Sequence, residues 1–307
     1  NRHRGNVRHN TTKGRERLMK LLEADKLGSC PIDSVKLSDA KEWALRMKEK
    51  GISYKTISND KRSLKAAFYT AIQDDCIRKN PFDFQLNTVI EDDTEPKVPL
   101  TAEQEESLLS FMESDSVYQK YRDEVIILLG TGLRISELCG LTDTDLDFES
   151  RVINVDHQLL RSAETGYYIE KPKTQSGIRQ IPMSEKVYEA LGRVLENRKG
   201  AKATTIDGYS NFLFLNRDGC PKTATSYDNM FRGLAKKYNK CHEEALPKVM
   251  TPHTLRHTFC TNLANAGMNP KALQYIMGHS NITMTLNYYA HATFASARAE
   301  MERLIAA

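Results

Sequence analysis

The stretch Thr251-Pro252-His253-Thr254-Leu255-Arg256-His257-Thr258-Phe259 constrains this chain more than any other. Thr251 can cap a helix and Pro252 sits where a missing N–H costs nothing, so a helix opens here. His253, Arg256 and His257 then fall at i, i+3 and i+4 and project from one face. Two imidazoles and a guanidinium converging near a helix N-terminus make a socket for an anion such as a phosphodiester. Upstream, Gly130-Thr-Gly-Leu-Arg134-Ile-Ser-Glu137-Leu supplies a second arginine, placed just past two glycines that break the apolar helix over 125–129. Arg134 is therefore expected near the start of the next helix, where the helix dipole and the guanidinium favour the same anion. Downstream stand Gly278-His279 and the pair Tyr288-Tyr289. A phosphate clamp beside a phenol points to phosphoryl transfer to tyrosine.

Metal chemistry is the main rival for two histidines at i and i+4. Zincin helices carry glutamate directly after the first histidine, but Thr254 stands there. Arg256 on the same face would also repel a divalent cation. No cofactor and no metal are expected. Six scattered cysteines without paired spacing fit reduced thiols better than a disulfide framework or a zinc site.

With 307 residues the chain can form two domains with separate cores, and no apolar run approaches membrane-spanning length, so a soluble protein without a membrane partner is expected. The net charge of +4 is modest, but its distribution is uneven. Residues 1–20 carry Arg2, Arg4, Arg8, Lys13, Arg15, Arg17 and Lys20 against the single acid Glu16, which suits phosphate contacts or a solvated tail. The chain opens on Asn1 with no signal-peptide pattern, as expected of a piece of a longer protein.

Two helices are expected in the first ninety residues. One is capped by Ser38 and stopped by Gly51; the other begins at Ser53-Tyr54, carries Ile57, Leu64, Phe68 and Ile72 on one stripe, and ends at Asn80-Pro81. Lys55, Lys61, Arg62 and Lys65 lie mostly off that stripe. Glu91 to Pro99, acidic and proline-bearing, reads as a linker. Thr101 and Gln104 then form a capping box. Beyond it the chain is mainly helical, with strand composition at 151–155, 166–170 and 179–181. Lys171-Pro172-Lys173-Thr174-Gln-Ser-Gly177 is expected to be the hairpin turn between the last two strands.

Gly132-Leu-Arg134-Ile-Ser-Glu137-Leu, His253-Thr-Leu-Arg256-His257 and Met277-Gly-His279 followed by Tyr289-Ala-His291 resemble the signature boxes of the tyrosine recombinases, most of all the integrases of conjugative transposons and related phages. The resemblance covers nearly the whole chain. It implies an all-α core-DNA-binding domain with a basic N-terminal segment over 1–90 and a linker at 91–99. It also implies an α+β catalytic domain, mainly helical with a smaller sheet, over 100–292 and a tail helix over 293–307. The two domains would close around duplex DNA as a C-shaped clamp, with an arm-binding domain upstream of Asn1. The implied catalytic residues are Arg134, Lys173, His253, Arg256, His279 and Tyr289. Glu137 would orient Arg134, and Lys173 would sit on a mobile hairpin and protonate the leaving 5′-oxygen. Spacing from His279 leaves both Tyr288 and Tyr289 open; the family's Tyr-x-His frame selects Tyr289, leaving Tyr288 for packing. The activity implied is site-specific recombination through a 3′-phosphotyrosyl intermediate and a Holliday junction, without ATP. Implied partners are double-stranded recombination sites, a homotetramer coupled through the tail in trans, and an accessory DNA-bending or excision factor, in a bacterial cytoplasm. A type IB topoisomerase, a chromosome-dimer resolvase and a non-catalytic DNA-binding regulator are the competing readings.

Overall fold

In the computed structural model, residues 9–95, 98–198, 204–247 and 249–289 are described, with 298, 301, 302 and 305 beyond them. His291 and most of the expected tail helix lie outside the described residues. The chain divides into two compact units, Asn1–Pro96 and Lys97–Ala307.

The first unit is built from α1 (His9–Glu23), α2 (Leu37–Glu49) and α3 (Tyr54–Gln73). Its core gathers Ala40, Trp43, Ala44 and Met47 of α2 with Ile57, Leu64 and Phe68 of α3. Phe82 fills the centre, its ring 5.7 Å from Trp43 and 5.3 Å from Phe68, both geometries that suit aromatic quadrupoles. The stripe expected on α3 therefore faces the core, with Ile72 half-buried at its end. Boundaries differ from expectation in two places. Helix α2 starts at Leu37, two residues earlier than a Ser38 cap would give, because the Asp39 carboxylate accepts the Lys36 N–H at 2.8 Å and closes the first turn on Lys36. Helix α3 stops at Gln73, well short of Asn80-Pro81. Asp75 takes a left-handed conformation (φ 55°), which Asp tolerates better than most residues, and Cys76 donates back to the Ala71 carbonyl. Lys55 and Arg62 are exposed; Lys61 covers the Phe84 ring and Lys65 pairs with Asp83 at 2.5 Å.

The second unit runs α4 (Ala102–Ser114), α5 (Arg122–Thr131), α6 (Ile135–Gly140), β1 (Leu146–Asp147), β2 (Val152–Val155), β3 (Gln158–Ser162), β4 (Gly166–Glu170) and β5 (Arg179–Pro182). It continues through α7 (Glu185–Asn197), α8 (Ala224–Cys241), α9 (Pro252–Asn265), α10 (Pro270–Met277) and α11 (Ile282–Leu286). Helix α5 is the apolar centre, with Val125, Ile127 and Leu128 fully buried, and it packs against α4, α7 and α9. Thr101 and Gln104 form the expected capping box at α4.

The strands pair differently from expectation. β5 joins β2 antiparallel, with Ile181 opposite Ile153, in a three-stranded sheet ordered β1-β2-β5. β4 pairs instead with β3, Glu170 opposite Gln158, in a separate two-stranded ribbon. The segment 171–178 is therefore a connection between two sheets, not a hairpin turn. Alternation along a strand reveals its buried face but not its partner, so the pairing was not readable locally.

Candidate active site

Two helix ends bring the site together. Gly132 ends α5 in the left-handed region (φ 62°), and a Cβ there would stand 2.4 Å from the Phe259 ring of α9. Gly278 ends α10 in the same conformation (φ 61°), with space for a Cβ limited at 3.1 Å by both the Arg179 guanidinium and the Ser176 carbonyl. Glycine is needed at both places because the chain reverses hand where neighbours already press in.

Each end meets one of the expected arginines. Arg134 is the N-cap of α6, as anticipated, and its Nη2 donates to the Gly278 carbonyl at 3.0 Å. Arg256 is buried and donates from Nη1 to the Gly132 carbonyl and from Nη2 to the Met277 carbonyl. Glu137 accepts the Arg134 backbone N–H at 2.8 Å and its Nη1 at 2.7 Å, so it orients Arg134 directly.

Glu137 has a second partner that sequence reasoning missed. Arg179 of β5, its side chain fully buried, donates to both Glu137 oxygens at 3.1 and 2.8 Å, to the Ile276 carbonyl at 2.6 Å and to the Gly177 carbonyl at 3.1 Å. The signal was available: Arg179 and Ile181 share the inward face of an alternating strand, and an inward arginine requires a buried acid. Burial alone would raise the Glu137 carboxyl, but hydrogen bonds from Arg179 and the field of Arg179, Arg134 and Arg256 bring it down to about 2.

Three guanidiniums thus surround one carboxylate, and the cluster is short of negative charge. Burial, with repulsion from Arg134 and Arg179 outweighing Glu137, presses Arg256 down to about 9, still charged at neutral pH. His279 is buried, its Nδ1 3.0 Å from the Thr285 hydroxyl. Burial followed by the positive field of Arg256, Arg134 and Arg179 lowers His279 to about 4, so it is a neutral imidazole at pH 7. Arg134, a third of its side chain exposed, gives the cluster an open edge. This arrangement can bind an oxyanion and stabilise charge that grows on it.

The other expected residues are placed as follows. His253 is exposed on the first turn of α9, while His257 is half-buried with its ring 4.8 Å from that of Tyr288. Burial raises both phenols, but only at Tyr288 does the Arg256 guanidinium pull in the opposite direction. The Tyr289 hydroxyl donates to the Met268 carbonyl. Tyr288 thus packs beside His257, the neighbour of Arg256 on α9, while the Tyr289 hydroxyl is held at Met268. Lys173 is exposed in the connection between β4 and β5. A separate trio, Asp145, Asp156 and His157, has ligand atoms close enough for a metal, but both His157 nitrogens already meet protein acceptors, Asp156 at 2.6 Å and the Gly140 carbonyl at 2.7 Å.

Residues 99–296 match the phage integrase family. The transposase of transposon Tn916 from Enterococcus faecalis is 66% identical over 99% of this chain and 75% of that protein. Tyrosine recombinase XerC of Bacillus pumilus is 30% identical over 87% of this chain and 80% of its own. Among solved structures, the Tn1549 transposon integrase in complex with a circular intermediate DNA superposes with a TM-score of 0.95 at 76% identity, covering 98% of this chain and 96% of that one. A lambda integrase dimer bound to a core site shares the fold, with a TM-score of 0.61 at 17% identity over 94% of this chain and 90% of that one. Helical scaffold and paired-arginine site together define a DNA strand-transfer enzyme. The chain belongs to the phage integrase family, the tyrosine recombinases that cut and rejoin DNA strands. Its activity is DNA recombination of the mobile-element type, the reading that its identity to the transposon enzymes carries. No helix among the described residues is long and apolar enough to cross a membrane.

Proposed function

We propose that the chain excises and integrates a conjugative transposon by acting on the DNA at its ends and on the joined circular form. The observation that carries this reading is the Arg134–Glu137–Arg179–Arg256 cluster with its excess of positive charge, in a chain 76% identical to an integrase held on circular intermediate DNA. Arg134, Arg256, His253 and His279 hold the scissile phosphate and stabilise the transition state. A phenol oxygen bonds to phosphorus, its proton passing to an imidazole of the site. The bond from phosphorus to the 5′-oxygen breaks, and Lys173 supplies the proton that the leaving oxygen takes. The 5′-hydroxyl of a partner strand then reverses the step, and two rounds through a Holliday junction exchange both strands. Bond energy stays in the phosphotyrosine, so ATP is not consumed.

We take Tyr288 as the nucleophile, because its ring lies 4.8 Å from that of His257 on the helix that carries Arg256, whereas Tyr289 would first have to release Met268. The Tyr289-Ala290-His291 frame favours Tyr289 and is the second reading. The units divide the labour: the helical unit, with its basic α1 and the exposed Lys55 and Arg62, binds core DNA, 91–99 links the units, and a homotetramer assembles on the duplex in the bacterial cytoplasm, helped by an accessory DNA-bending or excision factor. A nicked suicide duplex tests the reading. Incubation should trap a covalent 3′-adduct, peptide mapping should place it on Tyr288, and Tyr288→Phe should abolish it while leaving DNA binding intact. A trapped peptide carrying DNA on Tyr289 would hand the role back to that residue, and no adduct with either tyrosine intact would overturn the reading.

A further inference from the structure

The connection bearing Lys173 is tied down on both limbs, and both ties run to α6, the helix capped by Arg134. On the incoming limb, Glu170 ends β4 opposite Gln158, whose Nε2 donates to the Glu170 carboxylate at 3.0 Å. The Gln158 Oε1 accepts from the Ser136 hydroxyl of α6 at 2.8 Å. The end of α6 presses on the same strand, since a Cβ on Gly140 would lie 2.9 Å from the Leu159 nitrogen. On the outgoing limb, Arg179 holds the Gly177 carbonyl and Glu137 of α6 together, and Ser176 abuts Gly278, the residue whose carbonyl receives Arg134. The limbs meet at their base: a Cβ on Gly177 would stand 2.4 Å from the Pro172 Cβ. Only Lys173, Thr174, Gln175 and Ser176 remain beyond that contact, and Thr174 and Ser176 are 2.9 Å apart through their hydroxyls.

We propose that this connection is a tethered arm aimed at the phosphate clamp, with Gln158 and Gly177 as positioning residues that set where Lys173 delivers its proton. The inference rests on the reading of Lys173 as general acid. Proton transfer is steep in distance, and a displacement of about 1 Å can cost on the order of a hundredfold in rate. Gln158→Leu removes the side-chain link from α6 to Glu170 at similar volume. Gly177→Ala forces Pro172 away from the outgoing limb, and because Gly177 does not occupy the left-handed region its effect is steric alone.

The test is single-turnover cleavage of a suicide duplex whose leaving atom is the natural 5′-oxygen or a bridging 5′-sulfur. A thiolate leaves without being protonated, so the sulfur duplex bypasses the general acid. Gln158→Leu and Gly177→Ala should each slow oxygen cleavage by roughly ten- to a hundredfold, return to near wild-type rates on sulfur, and bind the duplex with unchanged affinity. Lys173→Ala should show the same rescue. Rescue of Lys173→Ala with wild-type oxygen rates in both positioning variants would overturn the tether while sparing the general acid. Equal losses on both duplexes in the variants would mean general damage to the site, and would also overturn it. No rescue of Lys173→Ala would remove the general-acid reading, and the proposal with it.

Discussion

At the scale of residues, the site is an arginine cluster disciplined by one carboxylate. Arg134 spends one arm on Glu137 and another on the Gly278 carbonyl, a planar fork that lysine cannot reproduce. Arg134→Lys should therefore lower the cleavage rate on the order of a hundredfold, as when one preorganised donor is lost from an anion hole, while duplex binding still falls with salt. Single-turnover cleavage beside a salt titration of binding checks both. His279 gives a pH signature. Its ordinary value of 6.5 is lowered to about 4 in the folded protein, so between those values the unfolded chain binds the extra proton and stability falls as pH falls. The effect approaches about 3 kcal/mol by pH 4, and denaturant melts from pH 7 to 4 should show it in the native chain but lose that component in His279→Gln. The boxes around Arg134, Arg256 and His279 were legible because glycine and helix-start signals surround them. The burial of Arg179 is legible in the alternation of β5, but its partner is not, because nothing local says which acid, 42 positions away, an inward arginine will find.

At the scale of elements, most helix starts are legible in the sequence, while strand pairings are not. Ser53, Thr101 and Thr251 stand at the helix starts that their side chains predicted, since a cap is settled within four residues. The sequence shows neither β3 nor the partner of β4, because alternation marks a buried face but not the strand across from it. The glycine that ends α5 and the one that follows α2 differ in what surrounds them. Gly132→Ala must adopt a left-handed φ and push the Phe259 ring aside, so a loss of about 2–4 kcal/mol in denaturant unfolding is expected. Gly51→Ala meets nothing within 4 Å and keeps only the conformational cost, so it should lose about 1 kcal/mol. Comparable losses at the two positions would show that the Phe259 contact contributes nothing.

At the scale of the molecule, each unit carries its own hydrophobic cluster, the first centred on Trp43 and Phe82, the second on α5. A piece spanning 97–307 should thus unfold in one cooperative transition and keep its near-ultraviolet signal from packed aromatics; a featureless, gradual melt would refute this. Length and the acidic stretch at 91–99 made two units readable, whereas the internal order of the second unit was not, because its contacts span more than a hundred positions. Every residue assigned to cleavage, from Arg134 to Tyr288, belongs to the second unit. Inheritance can act on that separation. The first unit is free to drift toward new target sequences without reopening the chemistry, so a lineage of such enzymes can change its address while its cutting machinery stays under constant selection.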